Sequence, residues 1–219
     1  MILALSMRFV ENDSYVETRD ALSWDWFSFL RPFDILPLLV PNVIENPVEY
    51  LDSFGAKGLI LTGGNDIGHF NGLENKEQMT CRDKMEFDLL RDSIDKNRPV
   101  FGVCRGMQLI NLFFGGSIER KLSDDNSHVN TCHKVRLKSD VFDLGWGDSL
   151  ETNSYHNQGI RMANMAEELE SFAFSEDGVI EGIYHPVKPI IAVQWHPERN
   201  NPAANFDKSL FESWLAKCD

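Results

Sequence analysis

The sequence predicts an α/β fold, with a mostly parallel central sheet flanked by helices and a smaller antiparallel element in its second half. Three observations carry this. Short, continuous apolar runs recur along the first half, as expected of strands buried on both faces of a parallel sheet. They alternate with longer amphipathic stretches. A polar, turn-rich segment, "SDDNSHVNTCHK" (123–134), then separates them from a second half with its own strand signals.

In chain order, "ILALS" (2–6) is the first strand, followed by a helix-like stretch near 15–30. "ILPLLV" (35–40), a short helix near 47–54 and "GLILT" (58–62) continue the alternation. The next helix, near 80–97, carries Met85, Leu89 and Leu90 on one stripe, widened by Phe87 and Ile94, with charges opposite. It leads into "PVFGV" (99–103) and a helix over 105–115. After the polar segment come "HKVRL" (133–137), "GVIEGIYH" (178–185) and "PIIAVQW" (189–195), and a helix over 203–217 closes the pattern.

At 219 residues, 42% hydrophobic and 25% charged, the chain reads as one ordinary globular domain over 1–219. A net charge of −13 argues against nucleic-acid or anionic-membrane partners, since there is no basic surplus to replace condensed counterions. The opening "MILALSMRFV" has no basic region before its short apolar stretch and reads as a strand, not a signal peptide. No run approaches the ~18 apolar residues of a membrane span. The cysteines at 81, 104, 132 and 218 lack C-x-x-C spacing, which predicts reduced thiols and a cytoplasmic protein. No metal or cofactor is expected: histidines at 69, 128, 133, 156, 185 and 196 lack zinc-site spacing, and "TCHK" (131–134) is a single Cys-His pair. A homo-oligomer is left open.

Cys104 reads as either a packed core thiol or a nucleophile. Gly102-Val103-Cys104-Arg105-Gly106 has the spacing of a nucleophile elbow, a tight strand-to-helix turn with small residues two before and two after the reactive side chain. The apolar strand before it and the amphipathic "MQLINLFFGG" after it supply the required setting. A helix N-terminus favours a thiolate, and the Arg105 N–H would face a developing oxyanion.

"AVQWHPE" offers His196 as proton acceptor and donor just after an apolar strand, with Glu198 able to orient it. "LTGG" (61–64) puts two glycines after another strand, where a backbone N–H can turn into the site or a plain tight turn can form.

Together "LTGG", "GVCRGMQLIN" and "AVQWHPE" resemble the class I glutamine amidotransferase-like family, over essentially the whole chain. The resemblance implies a flavodoxin-like sheet between helices and a Cys104-His196-Glu198 triad, with the N–H groups of Gly64 and Arg105 as oxyanion donors. "NSYHNQG" (153–159) and "CRGMQ" resemble the γ-glutamyl-γ-aminobutyrate hydrolase group (peptidase C26-like). That implies a small-molecule γ-glutamyl substrate held by Gln108, Asn153, Ser154 and His156. Departures in "NDIGHFNGLENKEQM" and at Asn157 argue against carrying over the γ-aminobutyrate specificity. The chain also resembles hydrolases that release glutamate from a glutamine-linked nucleotide, γ-glutamyl-CDP-amidate, in capsule synthesis. An anionic substrate of that kind would reach local arginines such as Arg8, Arg82 or Arg105, with Arg82 the one expected to sit instead in a surface ion pair.

Overall fold

The computed structural model describes residues 1–12, 14–68, 79–122, 128–138 and 146–218. His69, with most of the loop after the glycine pair, and residues 123–127 of the polar segment lie outside them.

Five strands run parallel: β1 (Ile2–Ser6), β4 (Leu36–Val40), β5 (Gly58–Leu61), β6 (Val100–Val103) and β11 (Ile190–Val193). Their spatial order is β4-β1-β5-β6-β11, which in chain order is the 2-1-3-4-5 arrangement of a doubly wound flavodoxin-like sheet. Beyond β11 the same sheet turns antiparallel through β10 (Ile180–Tyr184), β9 (Glu170–Ser175), β7 (Val129–Leu137) and β8 (Ser149–Tyr155). The predicted fold class is therefore met.

Strand alternation divides the core. Leu3, Leu5, Ile60, Phe101, Val103 and Val193 face one side, where α1 (Trp24–Leu30) contributes Trp26 and Leu30, and α5 (Ala204–Leu215) contributes Leu210, Phe211 and Trp214. Ala4, Leu59, Leu61, Val100 and Ala192 face the other, against Leu51 of α2 (Pro47–Ser53), Leu89 and Leu90 of α3 (Cys81–Asp95), and Met107 and Ile110 of α4 (Arg105–Phe113). Phe211 is fully buried, its ring centroid 5.0 Å from those of both Phe29 and Phe33.

Two sequence expectations are corrected. The helix predicted near 15–30 begins only at Trp24, capped by Ser23, whose Oγ accepts from the Asp25 N–H at 3.3 Å. The residues before it form a separate antiparallel hairpin, β2 (Arg8–Glu11) with β3 (Thr18–Ala21), whose mostly exposed, polar residues give no strand alternation. The polar segment ends earlier than predicted, because β7 already begins at Val129. Among the described residues, no helix is long and apolar enough to cross a membrane.

Candidate active site

The site lies at the carboxyl edge of the parallel strands, where doubly wound sheets bind ligands. Cys104 follows β6 directly and is the N-cap of α4, with φ 52° and ψ −105°. That combination lies outside the left-handed well, and a non-glycine residue held there carries strain of about 1–3 kcal/mol. Surrounding structure holds it: the Cys104 N–H donates to the Val193 carbonyl of β11 at 2.8 Å, and its own carbonyl accepts from the Gln108 N–H at 3.2 Å. The glycine two residues on is sterically required, since a Cβ on Gly106 would run into the Leu61 carbonyl oxygen of β5.

The glycine pair after β5 brings backbone alongside this turn. A Cβ on Gly63 would stand 2.7 Å from His196 Cε1 and 3.5 Å from Cys104 Cβ, so nothing larger fits between the pair and the ring. Gly64 adopts φ +132°, open to glycine alone at low cost.

His196 and Glu198 converge, with Nδ1 2.7 Å from Glu198 Oε1. Both are buried, as is Cys104. Burial pushes the Cys104 thiol up, but the charge of His196 and its hydrogen bond to the sulfur outweigh this and bring it below its ordinary value. His196 moves the opposite way: burial pulls it down, yet Glu198 and Cys104 raise it to about 9. The arrangement favours a thiolate–imidazolium pair.

A buried ion network supports the elbow. Arg105 pairs with both Asp83 and Glu86, and Arg82 Nε lies 2.9 Å from Glu86 Oε1. Arg82 also donates to the carbonyls of Thr62 at 2.8 Å and Gly63 at 3.0 Å, fastening the glycine turn to α3. Asp83 doubles as a cap: its Oδ2 accepts from the Thr80 N–H at 2.8 Å while Thr80 Oγ1 accepts from the Asp83 N–H at 3.1 Å. Arg82 is therefore in a buried ion pair, not a surface one, because its guanidinium serves two carbonyls that the fold turns inward. The Arg105 side chain is likewise spent within the protein, and its N–H remains the relevant group.

A cavity of about 290 Å³ opens beside the glycine turn, lined by Arg8, Ser23, Asp25, Gly64, His196 and Arg199 among others. Of the three arginines named from sequence, Arg8 is the one that lines it. Arg199, which the sequence reading passed over, stacks on the Tyr155 ring at 4.4 Å from its centroid.

The four residues linked by resemblance to the glutamyl group are all buried, and none lines this cavity. Gln108 donates to the Gln158 carbonyl at 3.1 Å. Asn153 is bound to the His196 backbone, and Ser154 Oγ donates to the His128 carbonyl at 2.7 Å. His156 Nδ1 lies 3.0 Å from the Gln158 carbonyl. Among them, Asn153 holds His196, which lines the cavity. Histidines without zinc-site spacing in sequence meet in the fold: His128, His133 and His156 converge on buried Glu181, because strand pairing joins distant positions.

Sheet order, elbow and buried Cys-His-Glu constellation define the class as the class I glutamine amidotransferase fold. A solved glutamine amidotransferase from Thermotoga maritima superposes with a TM-score of 0.63 at 17% identity, covering 99% of this chain and 83% of that one. The peptidase C26 family model matches residues 2–198, and the chain belongs to that family of hydrolases. It is similar to the γ-glutamyl-CDP-amidate hydrolase of Campylobacter jejuni, 28% identical over 223 residues covering 99% of this chain and 98% of the relative. It is also similar to the γ-glutamyl-γ-aminobutyrate hydrolase of Escherichia coli K12, 27% identical over 210 residues covering 84% and 80%.

Proposed function

We propose that the chain hydrolyses the amide bond of a small γ-glutamyl conjugate through a thioester on Cys104. The observation that carries this is a strained cysteine at a helix N-terminus, in contact with a histidine whose far nitrogen is 2.7 Å from Glu198.

In the mechanism, the Cys104 thiolate attacks the γ-carbonyl carbon, and the oxyanion is received by the N–H groups of Gly64 and Arg105. The Arg105 N–H is available because the first N–H groups of a helix have no intrahelical partner. Protonated His196 gives its proton to the departing nitrogen as the C–N bond breaks. Water then attacks the thioester, His196 takes the water's proton, and the C–S bond breaks to release glutamate and return the thiolate–imidazolium pair. Glu198 keeps the ring oriented and supports its positive charge.

For the leaving group we favour an anionic, nucleotide-linked amide, with γ-glutamyl-CDP-amidate as first choice. Two things support it: end-to-end similarity to the Campylobacter hydrolase, and Arg8 and Arg199 beside the reactive groups. The enzyme would act on this small molecule in the cytoplasm, where its four free thiols stay reduced, without nucleic acid or membrane.

Glutamate release from a panel of γ-glutamyl amides tests the reading: nucleotide, γ-aminobutyrate, polyamine and peptide conjugates, and free glutamine. The nucleotide conjugate is expected to have the highest kcat/KM, and Cys104→Ala to lower it by about 10³-fold or more while the protein stays folded. Near wild-type turnover by Cys104→Ala would end the thioester mechanism. Preference for free glutamine, rising on addition of a synthase, would replace the hydrolase by an ammonia-delivering subunit.

A further inference from the structure

We propose that His128, His156 and Glu181 hold one divalent transition-metal ion, with zinc the best match to the ligand set. His128 immediately precedes β7, His133 lies on β7, His156 follows β8 and Glu181 is on β10. One ligand atom from each of His128, His156 and Glu181 lies within 4.8 Å of the other two, and His133 stands at the margin of the group: His128 Nδ1, His133 Nε2 and His156 Nε2 lie 3.8, 3.5 and 3.5 Å from Glu181 Oε1. The side chains of His128, His156 and Glu181 are 4%, 2% and 0% exposed, and that of His133 16%. Among the described residues, none of these three nitrogens, nor either Glu181 oxygen, has a hydrogen-bond partner.

The far sides of two rings settle which nitrogens carry lone pairs inward. His128 Nε2 lies 3.2 Å from Asp177 Oδ2, and His156 Nδ1 lies 3.0 Å from the Gln158 carbonyl. A carboxylate and a carbonyl only accept, so each ring turns its N–H outward and, when neutral, points a bare nitrogen at Glu181. Such outer acceptors are the usual partners of metal-bound histidines. When both rings are neutral, two lone pairs and a carboxylate lie buried together, an arrangement that a cation satisfies. Tetrahedral bonds of ~2.0–2.1 Å separate neighbouring ligand atoms by about 3.3–3.4 Å, and the His156 and His128 nitrogens lie 3.5 and 3.8 Å from Glu181 Oε1.

Three protein ligands leave a fourth position open, and the ion would tie β10 to the β7–β8 pair across intervening β9. Ser154 fits this assignment. Its hydroxyl and the His156 N–H both bind the His128 carbonyl, at 2.7 and 3.0 Å, fixing the backbone that carries the first ligand.

The test is metal content of the full chain, expressed with added zinc, passed through gel filtration and measured by inductively coupled plasma mass spectrometry. About one zinc per chain is expected, retained in Cys104→Ser and lowered about tenfold or more in Glu181→Gln and His128→Asn, with circular dichroism checking the fold. If those buried variants do not fold, Asp177→Asn, at the more exposed outer partner of His128, is expected to lower zinc affinity by about tenfold or more. Cobalt(II) bound to the wild type should absorb with nitrogen–oxygen d–d bands and no thiolate charge transfer. Wild-type protein free of metal after zinc exposure would overturn the proposal, as would zinc that survives Glu181→Gln but is lost in Cys104→Ser.

Discussion

Asn153 grips His196 by both of its backbone groups: its Oδ1 accepts from the His196 N–H at 2.9 Å, and its Nδ2 donates to the His196 carbonyl at 2.9 Å. Nδ2 also donates to the Asn200 carbonyl at 3.1 Å, so one side chain sets the turn that presents the imidazole. Asn153→Ala is expected to lower kcat by about 10–100-fold with KM nearly unchanged, because misplacement costs rate more than binding. Asn153→Asp, which keeps the acceptor and loses the donor, should fall between. A change confined to KM in steady-state kinetics would make Asn153 a substrate ligand instead.

Gly63 leaves no room for a methyl group against His196. Gly63→Ala should fold with nearly wild-type melting temperature, since the ring can shift into the open cavity beside it, yet lose about 100-fold in kcat/KM. Equal activity of the variant would mean that the ring position is not critical.

The pH profile follows from two opposed shifts. Cys104 is lowered, so the thiolate form is present from below the ordinary thiol range; His196 is raised to about 9, so the proton it must donate is lost as pH rises through that value. The plot of kcat/KM against pH should therefore be bell-shaped, with a descending limb near pH 9. In Glu198→Gln the imidazolium loses its supporting charge, so that limb should move to lower pH while the residual rate falls. A descending limb unmoved by the substitution would assign it to another group.

Glu86 serves two buried arginines. Burial raises its carboxyl, but Arg105 and Arg82 prevail and hold it below the usual carboxylate value. Its contribution to stability is then present above the unfolded-state pKa and lost as pH falls through the lowered one. Glu86→Gln should cost about 3–5 kcal/mol by urea denaturation, because two guanidinium groups lose a buried partner. A loss under about 1 kcal/mol would show that Asp83 alone suffices.

The parallel half was readable because strands such as β5 and β6 are buried on both faces and appear as unbroken apolar runs. The elbow was readable because its glycines are dictated by contacts a Cβ would violate. The β2–β3 hairpin was not, since "RFVE" and "TRDA" carry charge where a strand pattern would alternate. β8, at the sheet edge, presents "SLETNSY", whose buried members are polar, with Asn153 and Ser154 held by tertiary bonds. The roles of Arg82, Arg105 and Glu181 were hidden for a related reason: a charged residue reads as surface until the pairing of distant elements supplies its counter-charge.

The Cys104 N–H bond to Val193 also bears on synthesis. β11 slots between β6 and β10, so the strand that fixes the elbow emerges from the ribosome some ninety residues after the cysteine, and His196 directly behind it. Such long-range pairing forms late in folding. A growing chain thus holds an ordinary, unarmed thiol, and chemical competence arrives together with the closing of the sheet.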